Sequence, residues 1–249
     1  MIIFKNVSVV YPNGFKALKN INLEINDSEF VIVIGPSGAG KSTLIRTING
    51  FVKISEGELI VNNKNIKELN EKELRALRRE IGMIFQNFNL VKRISVLRNV
   101  LIGRLGYVST IRSIFNLFSK EDIELAFENL RRVGIEDKAY VRADQLSGGQ
   151  QQRVAIARAL TQKPKIILAD EPVASLDPPT AKVVMDYLKK FNKELGITTI
   201  INLHDIDLVM EYGERVVGLR NGEIVYDGSV KNINEKTLKE IYGKWEFKQ

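Results

Sequence analysis

Eight consecutive residues in the first third of the sequence have the types and spacing needed to hold a chain of phosphates. They match Gly-x-x-x-x-Gly-Lys-Ser in full and are Gly35, Pro36, Ser37, Gly38, Ala39, Gly40, Lys41 and Ser42, with Thr43 directly after them. The glycines allow backbone N–H groups to point at an anion where a helix begins, the lysine can reach the outer phosphates, and the serine hydroxyl can ligate Mg²⁺. The pattern predicts a nucleotide site, and by itself it does not separate an ATPase from a GTPase or a kinase.

An acidic pair, Asp170 and Glu171, follows the apolar run of residues 166–169. Asp170 is predicted to complete a Mg²⁺ site, because this hard cation takes oxygen ligands. Glu171 can polarise a water molecule toward the terminal phosphorus as a general base, which favours hydrolysis over storage of the nucleotide. A solvated acidic turn is the alternative interpretation.

The segment Ser147-Gly148-Gly149-Gln150 allows two interpretations. Ser147 and Gln150 fit the capping box at a helix start, which explains both polar residues. Capping does not require the two glycines, each of which costs up to about 1 kcal/mol relative to alanine in a first helical turn. Close approach of the backbone to an anion does explain them. Since Lys41 already marks one phosphate loop, the second anion site is predicted to serve the nucleotide of another copy, which points to a dimer.

Four short apolar runs are typical of parallel strands that are buried on both faces. They are residues 31–34, 81–85, 166–169 and 199–203. One residue of chemical interest follows each run, and these residues are Gly35, Gln86, Asp170 and His204. Because open α/β sheets place ligands beyond the carboxyl ends of their strands, we expect the four residues to converge.

The remaining elements frame these strands. Short amino-terminal strands are predicted at residues 2–9, 18–25, 30–34 and 58–61, and Asp177-Pro178 begins a helix. The apolar stripe of that helix is Val184, Tyr187, Leu188, Phe191 and Leu195. Residues 86–165 indicate helices and loops inserted into one α/β domain. A last helix is predicted at residues 235–242, and no carboxy-terminal regulatory module is expected after it.

Composition narrows the classes of function. The chain has 249 residues, with 37 Lys and Arg, 30 Asp and Glu, one His and no Cys, and its net charge is +7. The lack of Cys excludes disulfides and thiolate metal sites, and a single His excludes two-His zinc sites. No apolar stretch approaches the ~18–20 residues of a membrane span, and the amino terminus lacks the pattern of a signal peptide. The basic balance favours an anionic partner.

With these motifs in place, the sequence strongly resembles the ATP-binding subunits of ABC transporters along essentially its whole length. The resemblance implies an α/β fold of the P-loop NTPase type, with a RecA-like core around a mainly parallel sheet, an amino-terminal antiparallel β-subdomain and an inserted α-helical subdomain. It also implies a single ABC ATPase domain over residues 1–249. Within this domain, residues 1–85 and 166–249 form the catalytic core, and residues 86–165 form the helical insert with its signature loop.

Further site roles follow from the resemblance, and each has a plainer local alternative. Tyr11 matches the aromatic that stacks on adenine, Gln86 the sensor glutamine and His204 the switch histidine, while Ser175, Leu176 and Asp177 match the dimer-contact loop. Locally, Tyr11 fits a turn, Gln86 a solvated loop, Asp177 a helix cap and His204 a structural residue. The predicted roles are therefore catalysis by Glu171, His204 and Lys41, metal binding by Ser42, Gln86 and Asp170, and nucleotide binding by Tyr11, Gln86, residues 35–43 and residues 147–150.

The resemblance implies a transport motor. Two subunits form a homodimer that encloses ATP and Mg²⁺ and drives a separate integral-membrane permease, with a solute-binding protein acting indirectly. The subunit is expected at the cytoplasmic face of the cell membrane as a peripheral protein, with no nucleic acid as a partner.

The amino-acid sequences of four segments resemble the phosphonate-importer branch of the family. Importers of this branch take up phosphonate or sometimes phosphate or phosphite. These segments are residues 103–119, 142–150, 169–178 and 202–207. Three alternatives stand beside this interpretation. They are an ABC ATPase for another small solute, a nucleic-acid-associated ABC-type ATPase, and a soluble kinase or GTPase, which leaves residues 147–150 unexplained.

The charge excess is confined to one part of the chain. Residues 86–165 hold 14 basic and 7 acidic residues, and the rest of the chain holds 23 of each. Two interpretations remain open for this basic span. It is a flank that faces the permease and an anionic membrane surface, or it is an ordinary solvated surface.

Overall fold

The computed structural model describes residues 1–109, 112, 115 and 117–243, which form two β-sheets and the helices around them. The first sheet has four antiparallel strands in the order β2-β1-β4-β5, and the second has six strands in the order β10-β9-β3-β8-β7-β6. The strands are β1 (Ile2–Val10), β2 (Lys16–Ile25), β3 (Phe30–Ile34), β4 (Glu56–Val61), β5 (Lys64–Asn65), β6 (Ile81–Phe85), β7 (Ile166–Asp170), β8 (Thr198–Asn202), β9 (Arg215–Arg220) and β10 (Glu223–Ser229).

Polar caps begin most of the α-helices. A side chain that accepts a hydrogen bond from a backbone N–H of the first turn satisfies a donor that has no partner within the helix. The capping side chains include Asn70, Ser95, Ser119, Ser147 and Asp177. In the described ranges the helices are α1 (Lys41–Ile48), α2 (Glu71–Arg79), α3 (Val96–Leu101), α4 (Lys120–Arg132), α5 (Gly148–Thr161), α6 (Pro178–Leu195), α7 (Ile206–Tyr212) and α8 (Glu235–Tyr242).

Strands β3, β8, β7 and β6 lie side by side and run parallel, which confirms the prediction of a mainly parallel sheet. Every residue of β3, β7 and β8 is buried, as expected for strands covered on both faces. Strand β6 is the edge of the sheet, so Met83 and Phe85 are only half-buried. Three predicted bounds of β7 and β8 were one residue out, because β7 ends at Asp170 and β8 spans Thr198–Asn202 where residues 199–203 were predicted.

Strands β9 and β10 form an antiparallel hairpin that the sequence analysis did not predict. Asn221 and Gly222 connect them with positive φ angles of 51° and 83°. Two residues with positive φ are the requirement of a type I′ turn, which matches the twist of the flanking strands. The hairpin gives the otherwise parallel sheet one antiparallel edge.

Two apolar clusters cover opposite faces of the six-stranded sheet, and β3 contributes to both. Phe30, Ile32 and Ile34 belong to the cluster that the helices α3 to α8 complete. Val31 and Val33 belong to the cluster shared with the antiparallel sheet and with α1. This alternation follows from the pleat of a strand, in which successive side chains point to opposite faces. The phosphate-loop strand is therefore fixed from both sides.

Residues 86–165 contain α3, α4 and α5, and their described part includes no strand beyond an isolated bridge between Ser95 and Arg142. Val100, Leu130 and Val154 are fully buried in the same cluster as the face of the parallel sheet. The helices of this span therefore share a core with the strands that carry the site. None of the helices in the described ranges combines the length and apolarity needed to cross a bilayer.

Helix α6 begins as predicted, since the Asp177 carboxylate accepts a hydrogen bond from the backbone N–H of Thr180 at 3.0 Å. Its predicted stripe is correct except at the last turn, where Leu195 is 42% exposed. Asn192 is buried instead, and its amide donates to the carbonyl oxygens of residues 28, 29 and 197. Those carbonyls belong to the turns that flank the sheet, so the end of the helix packs on polar backbone.

Candidate active site

The phosphate loop connects β3 to α1 and leaves the start of that helix open to an anion. Gly40 is the N-cap residue, and no side chain caps the helix. The first turn of α1 carries no acidic side chain either. Backbone N–H groups at a helix start that lack side-chain acceptors are suited to phosphate oxygens, and the helix dipole favours the negative charge.

Two glycines of the loop are required by the fold itself. Gly35 has a φ of 147°, and a Cβ atom there would lie 2.1 Å from the carbonyl oxygen of Leu219. Gly40 has a φ of 104°, and a Cβ atom there would lie 2.5 Å from the carbonyl oxygen of Ala17. Gly38 differs, since its φ is 77° but nothing lies within 4 Å of the corresponding position. The tip of the loop is therefore free for the approach of a ligand.

Lys41 is buried, with 5% of its surface exposed. Its Nζ donates to the carbonyl oxygens of Gly35 and Pro36 at 2.8 and 3.0 Å. Burial lowers the pKa of this ammonium group, and the nearby carboxylates of Glu171 and Asp170 oppose that effect. The structure thus holds the ammonium group of Lys41 against the backbone of the phosphate loop.

The carboxylate of Asp170 is buried and accepts three hydrogen bonds from side chains. Oδ1 accepts from Ser42 Oγ and from Asn202 Nδ2, both at 2.8 Å, and Oδ2 accepts from Arg46 Nη2 at 3.0 Å. The sequence analysis did not identify Asn202 or Arg46. Arg46 lies four residues after Ser42, which places both on one face of α1. Asn202 is the polar last residue of a buried strand, and that position was the available signal.

Ser42 and Asp170, which we call the metal corner, offer oxygen ligands that fit Mg²⁺. Ser42 supplies a hydroxyl and Asp170 a carboxylate, which are the hard ligands this cation prefers. Gln86 is exposed directly after β6, whose last residue Phe85 lies opposite Asp170 in the sheet register. No three carboxylate or imidazole groups of the described residues converge on a metal-sized site. A metal here would take its further ligands from nucleotide phosphates and water.

Glu171 and His204 are paired at the carboxyl ends of β7 and β8. His204 Nε2 lies 2.6 Å from Glu171 Oε1, and the imidazole is 42% exposed. Glu171 has a φ of 54°, in the left-handed region that residues with side chains seldom adopt. Such backbone geometry is costly and is concentrated at functional sites. Here it turns the carboxylate out of the strand line toward the imidazole.

A cleft of about 630 Å³ opens next to this pair. Glu171 and His204 form part of its wall, and the rest comes from the loop before α6 and from α6 and α7. Leu176 and Glu211 are among these lining residues. The cleft gives water access to both candidate catalytic side chains.

Tyr11 lies beside the first turn of α1. Its hydroxyl is 3.1 Å from Thr43 Oγ1, and its ring packs partly against the apolar cluster of the antiparallel sheet. The tyrosine is therefore next to α1, and its role toward adenine stays a prediction.

The segment of residues 147–150 forms the predicted capping box. Gln150 N donates to Ser147 Oγ at 3.3 Å, and Ser147 N donates to Gln150 Oε1 at 3.0 Å. Capping does not require Gly149, but a Cβ atom there would lie 2.3 Å from Thr180 Cγ2, so packing against α6 is a second reason for this glycine that was not predicted. At Gly148 the nearest atoms would be Leu176 Cδ2 at 3.5 Å and Phe88 Cζ at 3.7 Å, which are ordinary contacts. Of the two glycines, Gly148 is thus the one for which the described residues give no packing reason.

The loop of Ser175, Leu176 and Asp177 lies between Glu171 and the start of α6. Ser175 and Asp177 are exposed, and Leu176 lies near Gly148. The backbone N–H of Thr180 lowers the pKa of Asp177 by hydrogen bonding to its carboxylate. The capping role of Asp177 is therefore present, and the dimer role of the loop stays a prediction.

Comparison with known proteins decides the family. A sequence model described as ABC transporter matches residues 18–174, which is more than half of the chain. The chain belongs to the ABC transporter family. The matched range contains the phosphate loop, residues 147–150 and the acidic pair, so the resemblance drawn from those motifs is confirmed.

Two curated relatives of the ABC transporter family are similar over almost the whole chain. They are "Phosphonates import ATP-binding protein PhnC 3" of Halalkalibacterium halodurans and "Phosphonates import ATP-binding protein PhnC 1" of Oceanobacillus iheyensis. Each is 62% identical over 244 residues, which cover 98% of this chain and 95% of the relative.

Solved structures of the ABC transporter family share the fold. A dimeric, post-hydrolysis structure of the ATP-binding cassette MJ0796 bound to ADP and Pi is 40% identical, with a TM-score of 0.81 over 94% of this chain and 100% of that chain. The ADP conformation of the cassette MJ1267 is 32% identical, with a TM-score of 0.84 over 96% of this chain and 97% of that chain. The P-loop NTPase fold expected from the resemblance is thereby confirmed.

Of the segment 103–119, residues 110, 111, 113, 114 and 116 lie outside the described residues.

Proposed function

We propose that the chain is the ATP-hydrolysing subunit of an ABC importer for phosphonate or a related phosphorus oxyanion. The substrate class is inferred from the 62% identity, over nearly full length, to two relatives named as phosphonate import proteins. The site supports hydrolysis, because a phosphate cradle, an oxygen-rich metal corner and a paired carboxylate and imidazole meet at one edge of the sheet.

Some of the site residues bind ATP, and others transfer the proton of the attacking water. The loop amides and Lys41 hold the phosphates, and their fixed donors stabilise the charge that develops on the leaving phosphates. Ser42 and Asp170, with Gln86 beside them, would hold Mg²⁺, which when bound would neutralise further charge on the phosphates. Glu171 takes the proton of the attacking water as a general base, and His204 orients this carboxylate and contacts the terminal phosphate.

A homodimer completes the site in this proposal. Residues 147–150 of one subunit cover the ATP that the Lys41 loop of the other subunit holds, with residues 175–177 at the contact. Gly148 supports this arrangement, because a Cβ atom there would meet the described residues only at ordinary contact distances, so their packing does not require a glycine. The dimeric state of the similar MJ0796 cassette also supports it. We also propose that residues 1–249 act as one domain in which residues 86–165 are the helical insert.

The two glycines of this segment are expected to respond differently to alanine. In Gly148→Ala the free energy of unfolding should stay within about 1 kcal/mol of the wild-type value, since helix propensity improves and the new contacts are ordinary, while ATPase activity falls at least tenfold. In Gly149→Ala the clash with Thr180 Cγ2 should lower that free energy by about 1–3 kcal/mol. Urea unfolding and phosphate release measure the two effects.

The variant Gly149→Ala/Thr180→Ser separates packing from ligand approach, because serine lacks Cγ2. Stability should return while activity stays low. A Gly148→Ala protein with wild-type ATPase activity would exclude the dimeric arrangement. Recovery of full activity in the double variant would restrict Gly149 to packing within its own chain.

The partners follow from the same proposal. A separate integral-membrane permease binds the dimer, a solute-binding protein acts on the permease, and the subunit is peripheral at the cytoplasmic face of the membrane. Lys92, Arg93 and Arg98 support a contact with an anionic surface, since all three are exposed and form no ion pair with any described residue. Basic side chains near an anionic leaflet are attracted within a Debye length.

Reconstitution tests the proposal. The chain is expressed with its genomically adjacent membrane and binding proteins and placed in anionic vesicles, and ATP hydrolysis is measured with an alkyl phosphonate, phosphate, phosphite or sulfate. Stimulation by a phosphorus oxyanion and not by sulfate is the expected result. Stimulation by another solute would support a different importer. Salt-sensitive DNA or RNA binding with micromolar affinity or better, without stimulation, would support a nucleic-acid ATPase.

A second arm of this experiment examines the basic flank. The variant Lys92→Gln/Arg93→Gln/Arg98→Gln should bind less to permease-containing anionic vesicles and keep its ATP affinity. Unchanged association would leave the flank as an ordinary solvated surface.

A further inference from the structure

The loop that follows Gln86 has an unusual backbone. Phe88 and Asn89 are consecutive and both have positive φ, at 57° and 49°. Asparagine tolerates this region, but a bulky aromatic residue rarely adopts it. Phe88 N donates to the carbonyl oxygen of Phe85 at 3.2 Å, and Asn89 N donates to that of Asn87 at 2.5 Å. This tight turn needs support from outside the loop to persist.

The support comes from one side chain of α5. Arg158 Nη1 donates to the carbonyl oxygen of Asn89 at 2.5 Å, and Nη2 donates to that of Phe88 at 2.9 Å. Burial lowers the pKa of this guanidinium, which remains charged. Arg158 forms no ion pair with a carboxylate of the described residues. A desolvated cation is costly unless its donors are used, and here the two loop carbonyls use them.

The same loop also touches the start of α5. The position of a Cβ atom at Gly148 lies 3.7 Å from Phe88 Cζ. Gly148 and Arg158 are ten residues apart, which is about 15 Å along a helix. The loop is therefore bound to α5 by Arg158 and lies beside the start of the same helix, which begins with residues 147–150.

We propose that Arg158 is a positioning residue that fixes the Gln86 loop to helix α5, so that Gln86 and residues 147–150 move as one body. The inference rests on the proposed function for its consequence. Gln86 approaches the metal corner of its own subunit, and residues 147–150 approach the ATP of the partner. Arg158 makes the two approaches simultaneous, which couples closure of the dimer to completion of the metal site.

Arg153 provides a matched control on the same helix. Its Nη1 donates to the carbonyl oxygens of Gly134 and Val133, at 3.1 and 3.5 Å. Here too a guanidinium donates to two backbone carbonyls, although through one nitrogen where Arg158 uses two, and the carbonyls belong to the end of α4 and not to the Gln86 loop. A role in general stability therefore predicts similar effects at both arginines, and the positioning role predicts a difference.

The experiment compares Arg158→Met, Arg158→Lys and Arg153→Met in the full chain. In Arg158→Met, amide hydrogen exchange of residues 86–90 should be at least tenfold faster than in Arg153→Met. The kcat for ATP should fall about tenfold, and the Mg²⁺ concentration for half-maximal rate should rise several-fold, while the Kd for ATP stays within twofold. Arg158→Lys should give intermediate values, because an ammonium group cannot bridge two carbonyls as a planar fork does.

A rescue variant separates positioning from packing. Asn89→Gly should restore part of the kcat of Arg158→Met, since glycine adopts positive φ without strain. Equal exchange rates and equal Mg²⁺ requirements in Arg158→Met and Arg153→Met would overturn the inference. If the wild-type chain hydrolyses no ATP, the proposed function fails. Hydrogen exchange, with Arg158→Lys in reserve should the methionine variant unfold, then still decides whether Arg158 holds the loop.

Discussion

Replacement of Glu171 by glutamine is expected to lower the rate of ATP hydrolysis by about 10²- to 10⁴-fold and to leave ATP affinity within about twofold. The amide has nearly the shape of the carboxylate and can keep the contact with His204, which is 2.6 Å from Glu171 Oε1. It cannot accept the proton of the attacking water. The phosphate cradle around Lys41 is untouched, so binding should persist.

Phosphate release under saturating ATP and equilibrium binding of labelled ATP measure the two quantities. Glu211→Gln is the matched control, since Glu211 lines the same cleft but is ion-paired with Lys182 on its far wall. This variant should hydrolyse ATP at the wild-type rate. Wild-type turnover in Glu171→Gln would remove the general-base role. An equal loss of ATP hydrolysis in both variants would mean that the shape or charge of the whole cleft, and not Glu171 in particular, sets the rate.

Replacement of Lys41 by methionine is expected to weaken ATP binding by about 10- to 100-fold, because hydrogen bonds to a charged group contribute about 1.5–3 kcal/mol. The methionine chain can follow the path of the lysine stem, but it cannot donate to phosphates or to the carbonyls of Gly35 and Pro36. Hydrolysis should fall at least as far as binding does, since the same charge stabilises the leaving phosphates.

Calorimetric titration with ATP measures the affinity, and thermal unfolding reports on the fold. Lys19→Met serves as the control, because the side chain of Lys19 is 41% exposed and its one ion pair among the described residues is with Glu223 at 3.6 Å. That variant should bind ATP like the wild type. ATP binding by Lys41→Met with unchanged affinity would contradict the phosphate role of the loop.

The sequence predicted the elements of the core well because its apolar runs are short and sharply bounded. Residues 30–34, 81–85 and 235–242 were predicted with the bounds that the structure has. The β9–β10 hairpin was missed although Asn221-Gly222 is a strong local signal for a two-residue turn. Leu195 was misplaced in the core because periodicity alone does not show where a helix leaves the domain.

The residues around Asp170 show where local reasoning ends. Ser42 and Asp170 are 128 positions apart in the sequence and share a hydrogen bond. Arg46 and Asn202 donate further hydrogen bonds to the same carboxylate. Ser42 and Asp170 belong to motifs in the sequence, whereas Arg46 and Asn202 belong to none that predicts a contact with Asp170. They become a site only because the sheet order β3-β8-β7 brings three distant chain segments to one edge.

By itself, the sequence determined the chemistry of this protein: a phosphate loop, an acidic pair, a second glycine segment and the family to which these motifs belong. Such motifs are local, because backbone amides, a lysine and a hydroxyl must follow one another closely to bind one phosphate group. Only the tertiary structure showed that Thr180 packs too close to Gly149 for a Cβ atom, that Arg46 and Asn202 donate to Asp170, and that Arg158 donates to the Gln86 loop. Those contacts join segments far apart in the chain, and their geometry comes from the packing of strands and helices.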